Sequence, residues 1–346
     1  MSPELGFSEW PFHVLPDEDF IRVWCGREEL EKKLDTVFGG IIQKPNFQIY
    51  LVYGDFGAGK THSIRHMLLK YREKARLLTS ELEYDVTIRT FTQLYRALMS
   101  RLDFGAISGW SSPPSDGSWH DFISFFKAMK SDDQEATTTA MRWITGEERG
   151  KIALGKIGIR SPVDSVDTAT RAFSELTKCA GRNRSALTLF IDEFQQVDKL
   201  DKNWRESILD GLTKMVNSSP RHFCLVISFR LRMPMNILSI VPDNLVSRFS
   251  GDPFVEIKCF SKDEAEEFMK CIFRKFRTHE SNDPYYPYSP EAFETVLCFL
   301  QERHVEYNPR SIMKAFGHTS RCFEDSDEKI PISKEFVKKA LDSYLP

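Results

Sequence analysis

The stretch FQIYLVYGDFGAGKTHSIRHMLLKYR, residues 47–72, decides the fold of this chain. Residues 47–53 form a short run rich in β-branched and aromatic side chains, which predicts a buried strand that ends in a turn at Gly54. From residue 60 to about residue 72 the apolar residues recur every three or four positions and predict a helix. A strand, a loop and a helix in this order are typical of the start of an α/β nucleotide-binding fold.

The loop between this strand and helix matches the pattern G-x4-G-K-[ST] in full, as Gly54-Asp55-Phe56-Gly57-Ala58-Gly59-Lys60-Thr61. Its glycines allow successive backbone N–H groups and the helix N-terminus to face a polyphosphate. Lys60 can then reach the β- and γ-phosphates, and Thr61 can bind Mg²⁺. The alternative is a glycine-rich turn with a solvated lysine. We expect ATP and Mg²⁺ as cofactors, with residues 54–61 and the adjacent His62 as the nucleotide-binding residues.

A second apolar run, ALTLFI at residues 186–191, predicts another buried strand, and it ends with two adjacent carboxylates. Asp192 can hold Mg²⁺ through its water shell, and Glu193 can orient and polarise the water that attacks the γ-phosphate. An acidic pair after a strand is also common as a solvated start of a loop. Because a complete phosphate loop precedes it, we expect hydrolysis of ATP and not binding alone.

Four further side chains are candidates for contact with the γ-phosphate. Ser228 ends a third apolar strand, FCLVISF, and Arg230 is an alternative for the same role. Arg248 lies on a short segment with the pattern of an exposed surface and is suited to reach the γ-phosphate of a neighbouring subunit. Arg310 follows Asn308 and Pro309 in the first turn of a predicted helix, where it can close onto the phosphates. A satisfied core hydroxyl for Ser228, and surface salt bridges for Arg248 and Arg310, remain open alternatives.

The apolar strands alternate with amphipathic helices, which predicts an α/β fold with a parallel sheet covered on both faces. After about residue 258 only helical patterns follow, with capping residues at their starts. We therefore predict three regions, which are an N-terminal arm at 1–30, an α/β ATPase domain at 31–258 with a helical insertion at about 104–163, and a small all-helical lid domain at 259–346.

The composition limits the remaining classes of protein. The chain has 346 residues, with 47 basic against 50 acidic side chains, so it is not a polycationic histone-like binder, although a local basic patch stays possible. No apolar run approaches the roughly 18 residues of a membrane span, and the start lacks a signal pattern. We expect a cytoplasmic protein without a membrane partner. Seven cysteines without a CxxC pair argue against a disulfide scaffold or a zinc ribbon, and we expect most of them to be small buried residues.

These motifs, in this order, resemble those of the AAA+ P-loop ATPases, especially the branch of origin-recognition/Cdc6-like and transposon-regulator (TniB/TnsC-like) ATPases. Residues 26–30, GREEL, are similar to the N-terminal G-R-E-x-L segment of that family, which packs near the adenine and adds Arg27 to the nucleotide-binding residues. The resemblance implies nucleotide and Mg²⁺ binding by Lys60, Thr61, Asp192 and Glu193, a sensor 1 role for Ser228, a finger acting in trans for Arg248 and a sensor 2 role for Arg310.

Residues 142–147, RWITGE, are similar to the W-x-x-G-E segment in bacterial ATPases of BREX-type phage-defence loci. We expect the chain to depart from these proteins and from Cdc6-like proteins in having no room for a C-terminal winged helix after the helical lid. This difference favours DNA contact through the ATPase ring itself.

Two basic clusters are candidates for contact with DNA phosphates, since such contacts need cations. The first is Lys151, Lys156 and Arg160, and the second is Arg182 with Arg184 just before the strand at residue 186. A solvated surface is the alternative for each cluster.

We expect an ATP-hydrolysing homo-oligomer that acts as a nucleotide-controlled, DNA-associated regulator. Its role would be that of a matchmaker for an effector protein, such as a nuclease or transposase, in phage defence or mobile-element DNA handling. One alternative is a STAND-type signalling NTPase switch, in which Arg230 senses the γ-phosphate and Arg248 is only structural. A second alternative is a protein-remodelling ATPase without nucleic-acid binding.

Overall fold

The computed structural model describes residues 5–14, 18–43, 46–75, 77–115, 117–219, 221–231, 234–248, 252–278 and 281–344. Among these residues five strands form one sheet in the order β2-β3-β4-β1-β5, and every pairing is parallel. The strands are β1 (Gln48–Tyr53), β2 (Leu77–Glu83), β3 (Ala186–Asp192), β4 (Phe223–Phe229) and β5 (Phe254–Glu256). The predicted parallel α/β sheet is therefore confirmed.

Helices connect the strands and make up the C-terminal part of the chain. Up to β3 they are α1 (Glu18–Ile21), α2 (Glu28–Gln43), α3 (Lys60–Ala75), α4 (Phe91–Met99), α5 (Phe104–Ser108), α6 (His120–Met129), α7 (Gln134–Ile144), α8 (Lys151–Lys156) and α9 (Val166–Arg182). After β3 they are a 3₁₀ turn (Phe194–Lys199), α10 (Lys202–Ser218), α11 (Pro234–Leu238), α12 (Asp243–Val246), α13 (Lys262–Phe276), α14 (Pro290–Glu302), α15 (Pro309–Glu324) and α16 (Lys334–Asp342). In the part of the chain that the structure describes, none of the helices has the length and apolar character needed to cross a membrane.

The central strands are the three that the apolar runs predict. Every residue of β3 and β4 is buried, which is expected for parallel strands with helices on both faces. Ile191 of β3 pairs with Ile227 of β4, and Val52 of β1 pairs with Ser228 of β4. This register brings the carboxyl ends of β3 and β4 to the same edge of the sheet, where Asp192 follows Ile191.

The chain divides into two compact units, each with its own apolar core. The sheet unit consists of Leu34–Tyr53 and Met67–Glu256, and the helical unit consists of Met1–Lys33, Gly54–His66 and Ile257–Pro346. Fully buried side chains such as Trp143 form the core of the sheet unit, and others such as Phe316 form the core of the helical unit.

The N-terminal segment belongs to the core of the helical unit. The ring of Phe7 lies 5.7 Å from that of Phe273 in α13, and the Ser8 N–H donates a hydrogen bond to the carbonyl of Phe276. Pro11 has no backbone N–H, so a continuous helix through this segment is disfavoured. The units thus group residues 5–14 with the C-terminal helices, whereas the division predicted above treats 1–30 as a separate arm.

The segment predicted as an insertion is part of the core of the sheet unit. Trp143 is fully buried, and its indole N–H donates to the carbonyl of Ser161 at 2.8 Å. The carboxylate of Asp121 accepts the backbone N–H groups of Arg160 and Ser161. Gly146 has a φ of +77°, and a Cβ there would lie 2.7 Å from the Val163 carbonyl oxygen. The tryptophan and the glycine of the RWITGE segment therefore have structural roles in this fold.

The capping signals in the C-terminal part mark real helix starts. Ser261 and Glu264 form a capping box at the start of α13. Ser289, Asn308 and Ser333 each accept a backbone N–H from the first turn of α14, α15 and α16. The predicted all-helical C-terminal part is confirmed.

The cysteines differ from the expectation that most are buried. Cys25 is paired with Cys271 in a disulfide within the helical unit. Among the seven, only Cys25, Cys179 and Cys224 are buried, so the prediction was wrong for the other four. These four are Cys259, Cys271, Cys298 and Cys322. They are partly exposed because they lie on helices and loops of the helical unit whose outer faces are in contact with solvent.

Candidate nucleotide site

The loop at residues 54–61 has a backbone path that requires glycine. Gly54 has a φ of +149°, and a Cβ there would overlap the carbonyl oxygen of Ile257. Gly57 has a φ of +80°, and its Cβ would lie 2.6 Å from Oδ1 of Asn308. A loop without side chains at these positions leaves its N–H groups accessible to a close-fitting anion, so it fits a polyphosphate.

Lys60 is buried within this loop. Its ammonium group donates hydrogen bonds to the carbonyl oxygens of Gly54 and Asp55, both at 3.0 Å. Charged phosphate oxygens are stronger acceptors for an ammonium group than neutral carbonyls are. A triphosphate can therefore compete with these carbonyl groups for the Lys60 side chain. Thr61 follows at the second position of α3, at the start of the helix.

Arg27 binds the backbone of the same loop. Its Nη1 donates to the carbonyl of Ala58 at 2.6 Å, and its Nη2 donates to the carbonyl of Lys258. The guanidinium group lies 4.1 Å from the centre of the Phe260 ring. Burial lowers the pKa of Arg27 to about 10, which still leaves it charged at neutral pH. The resemblance places this segment near the adenine, and the contact seen is with the backbone of the phosphate loop.

Arg310 also lies beside the loop. Its guanidinium group is 4.1 Å from the centre of the exposed Phe56 ring, in a cation–π contact. Asn308, which caps α15, is the residue that a side chain at position 57 would strike. The first turn of α15 therefore packs directly on the phosphate loop. Arg310 lies next to this loop, whose bound phosphates it is predicted to contact.

His62 contacts the N-terminal segment. Its Nε2 lies 3.2 Å from the carbonyl oxygen of Phe20, and its ring packs with those of Phe20, Trp24 and His66. Burial, followed by the neighbouring His66 and Arg27, lowers the pKa of His62 to about 4. The side chain is therefore neutral at pH 7, and its role in nucleotide binding stays a prediction.

In the sheet unit, Asp192, Glu193 and Ser228 meet at the carboxyl ends of β3 and β4. Oδ1 of Asp192 accepts the hydroxyl of the fully buried Ser228 and the backbone N–H of Glu193. Glu193 has a φ of +55°, a conformation that is costly for a residue other than glycine and is concentrated at functional sites. Mg²⁺ prefers oxygen ligands, so the buried, oriented carboxylate of Asp192 has the chemistry of a ligand for this ion.

Gln195 is the residue of this group that sequence reasoning missed. Its Nε2 donates to Oε2 of Glu193 at 2.6 Å, and its Oε1 accepts the backbone N–H of Arg230 at 2.9 Å. The 3₁₀ turn after β3 brings the side chain back towards the carboxylate. A glutamine two residues after an acidic pair is a weak signal, and nothing in the sequence marks its contact 35 residues away.

The two arginine candidates of the sheet unit differ. The backbone of Arg230 belongs to the group around Glu193, and its side chain is exposed. Arg248 is exposed directly after α12 and forms no ion pair with any residue that the structure describes. The structure thus brings Asp192, Glu193, Ser228 and the backbone of Arg230 together, and Arg248 is exposed on the surface.

Solved structures with the same fold include three archaeal proteins. The Aeropyrum pernix ORC1 protein in complex with DNA has a TM-score of 0.55 and 13% identity over 97% of this chain and 69% of that chain. The Aeropyrum pernix ORC2 protein, in ADPNP–ADP complexes, has a TM-score of 0.60 and 10% identity over 97% and 72%. Cdc6p from Pyrobaculum aerophilum has a TM-score of 0.51 and 12% identity over 94% and 71%. At these identities the likeness shows the fold.

The family comparison covers more than half of the chain. No curated protein sequence matches it. Residues 23–226, however, match the family described as the AAA ATPase domain, and this range includes the phosphate loop, Asp192 and Glu193. The chain belongs to the AAA ATPase domain family and is an ATPase.

Proposed function

We propose that this ATPase works as a homo-oligomer and acts as a nucleotide-controlled, DNA-associated regulator that docks an effector protein. The observation that carries the proposal is the exposed Arg248, which has no ion-pair partner among the described residues of its own chain. An exposed arginine of this kind is available to a second copy of the chain.

The proposed hydrolysis is an in-line attack of water on the γ-phosphate of ATP. Glu193 polarises the water, and Lys60 stabilises the charge that develops on the phosphate oxygens. Thr61 and Asp192 would hold Mg²⁺, which when bound neutralises part of the same charge. The hydrogen bond from Gln195 supports this assignment of Glu193, because a general base must be held in one position to act on a water molecule.

In the proposed oligomer Arg248 completes the site of a neighbouring subunit. An arginine that contacts the γ-phosphate in the transition state typically increases the rate by about 10³- to 10⁵-fold. Arg310 would act within its own subunit, where its present contact with Phe56 keeps it beside the loop.

DNA association is proposed from the basic clusters. Arg182 and Arg184 are exposed and form no ion pair with any described residue. In the other cluster Lys156 forms an ion pair with Glu135 at 3.0 Å. Lys151 and Arg160 are exposed and are therefore the candidates in this cluster for contact with DNA phosphates. A setting in phage defence or mobile-element DNA handling, with a nuclease or transposase as effector, rests on the sequence resemblances alone.

Subunit mixing tests the role of Arg248. We expect Arg248→Ala and Glu193→Gln each to lose hydrolysis, and a mixture of the two to regain part of it, because mixed interfaces combine an intact Glu193 with an intact Arg248. Arg230→Ala is the matched control and should keep most of its activity. Loss of nucleotide response only in Arg230→Ala, with Arg248→Ala unaffected, would instead support the signalling switch.

The same preparations test the DNA role. We expect duplex DNA to change the rate of ATP hydrolysis, and ATP to change the affinity for DNA. A rate that responds to a polypeptide partner and is indifferent to DNA under all nucleotide states would replace this proposal with a protein-remodelling ATPase.

A further inference from the structure

A cavity of about 370 Å³ lies in the sheet unit at the end of the sheet opposite to Asp192 and Ser228. Arg182 is the last residue of α9, shortly before β3 begins, and His222 directly precedes β4. Since β4 has seven residues that each rise about 3.3 Å, the cavity is on the order of 20 Å from the carboxyl ends of the strands. It is therefore separate from the group around Glu193.

The ionisable side chains that line this cavity are all basic. They are Lys178, Arg182, Arg221 and His222, and the rest of the lining is serine, threonine and one glycine. Lys178 is paired with Glu175 at 2.9 Å. Arg182 and Arg221 form no ion pair with any described residue, although the chain as a whole carries more acidic than basic side chains. Cationic side chains without an acidic partner, gathered around one cavity, favour the binding of an anionic ligand there.

The hydroxyl groups of the lining are already used as donors. Ser174 donates to the carbonyl of Ser218, and Thr177 donates to the carbonyl of Ser174. The side chain of Arg182 also shares a hydrogen bond with Cys179. The donors that a ligand can engage are therefore the remaining N–H groups of Arg182, those of Arg221 and, when it is protonated, the imidazole of His222. A ligand that only accepts hydrogen bonds, such as a phosphate, matches this set.

The imidazole of His222 is fitted closely against α9. A Cβ at Gly181 would overlap the ring, so the glycine is what allows the ring to pack there. Burial and then the charge of Arg221 lower the pKa of His222. A bound anion would offset the repulsion between these two groups and raise that pKa.

We propose that this cavity binds a phosphate group. Its volume is within the range of about 300–1,000 Å³ that is typical of ligand pockets, so the phosphate would be part of a larger molecule. The DNA backbone and a phosphorylated small molecule are the two sources of this chemistry. DNA as the ligand rests on the DNA association proposed above, whereas the binding of a phosphate group in this cavity does not.

Binding of a fluorescent DNA duplex, measured by anisotropy with saturating ADP, tests the first source. The variant is Arg182→Ala/Arg221→Ala, and the matched control is Lys338→Ala/Lys339→Ala, which removes the same charge from the exposed face of α16. If both arginines contact phosphates, the slope of log affinity against log salt falls by about 2 in the variant and is unchanged in the control. The far-UV circular dichroism spectrum and the urea unfolding midpoint of the variant should match those of the unmodified protein, which reports that the variant is folded.

Titration of the His222 ring signals with inorganic phosphate, again with ADP present, tests the site without DNA. We expect phosphate to raise the pKa of His222 in the unmodified protein and to have no effect in the double variant. If phosphate raises this pKa while the salt slope is the same in the variant, the site takes a phosphorylated small molecule. The DNA role proposed above fails only if the unmodified protein does not bind the duplex. If neither the salt slope nor the phosphate response depends on the arginine pair, the cavity is not a phosphate site.

Discussion

At the residue scale, the position of the Glu193 carboxylate depends on the hydrogen bond that Gln195 donates to it. In a Gln195→Ala protein the carboxylate loses this partner, and we expect kcat to fall by about tenfold to a hundredfold with KM nearly unchanged. Steady-state kinetics of ATP hydrolysis measures both quantities. Gln196→Ala is the matched control, because the neighbouring glutamine makes no side-chain hydrogen bond within the described part of the chain. An equal loss in the control would contradict a positioning role for Gln195.

His62 should make stability depend on pH. Its pKa is near 6.5 in the unfolded chain and is lowered to about 4 in the fold by burial. As pH falls from 6.5 towards 4 the unfolded state binds a proton that the folded state does not, so the free energy of unfolding should drop by up to about 3 kcal/mol.

Urea denaturation at a series of pH values measures this dependence. The variant His62→Phe keeps an aromatic ring in contact with Phe20 and Trp24. We expect its free energy of unfolding to lose the drop between pH 6.5 and 4 that His62 causes. His304→Asn removes an exposed histidine and should leave the pH dependence as it is. An unchanged dependence in His62→Phe would show that this histidine titrates normally.

At the scale of elements, the first turn of α15 packs on the phosphate loop, and both belong to the helical unit. Asn308→Ala removes the cap of α15, and Ser289→Ala removes the cap of α14, so each should lower the free energy of unfolding by about 1 kcal/mol. Of these two cap residues, Asn308 is the one that lies against Gly57. We therefore expect nucleotide affinity, measured by calorimetry, to change in Asn308→Ala alone. If Ser289→Ala changes the nucleotide affinity by the same amount, the effect comes from the lower free energy of unfolding and not from the contact of Asn308 with the loop.

The elements that the sequence predicts are those with local signals. The strand before Gly54 and the helix after Ser261 follow from apolar spacing, turn residues and caps, all within a few positions of one another. Two contacts join distant parts of the chain, which are the ring contact of Phe7 with Phe273 and the hydrogen bond that the backbone N–H of Arg230 donates to Gln195. Such contacts depend on the finished packing, and no local pattern encodes them.

At the scale of the whole molecule, the proposed catalytic site requires more than one copy of the chain. Lys60, Asp192 and Glu193 belong to each copy, and the proposed finger, Arg248, is exposed on the surface of the copy that carries it. Activity per subunit should therefore depend on assembly, and the interface should be sensitive to a single charge removal at Arg248.

The most direct measurement is the rate of ATP hydrolysis per subunit across a dilution series, with the mass of the particles determined in the same solutions by light scattering. We predict that the rate per subunit falls as oligomers dissociate, and that Arg248→Ala oligomers of full size hydrolyse ATP at least about tenfold more slowly. A protein that remains monomeric with saturating ATP and hydrolyses it at an unchanged rate per subunit would contradict the account.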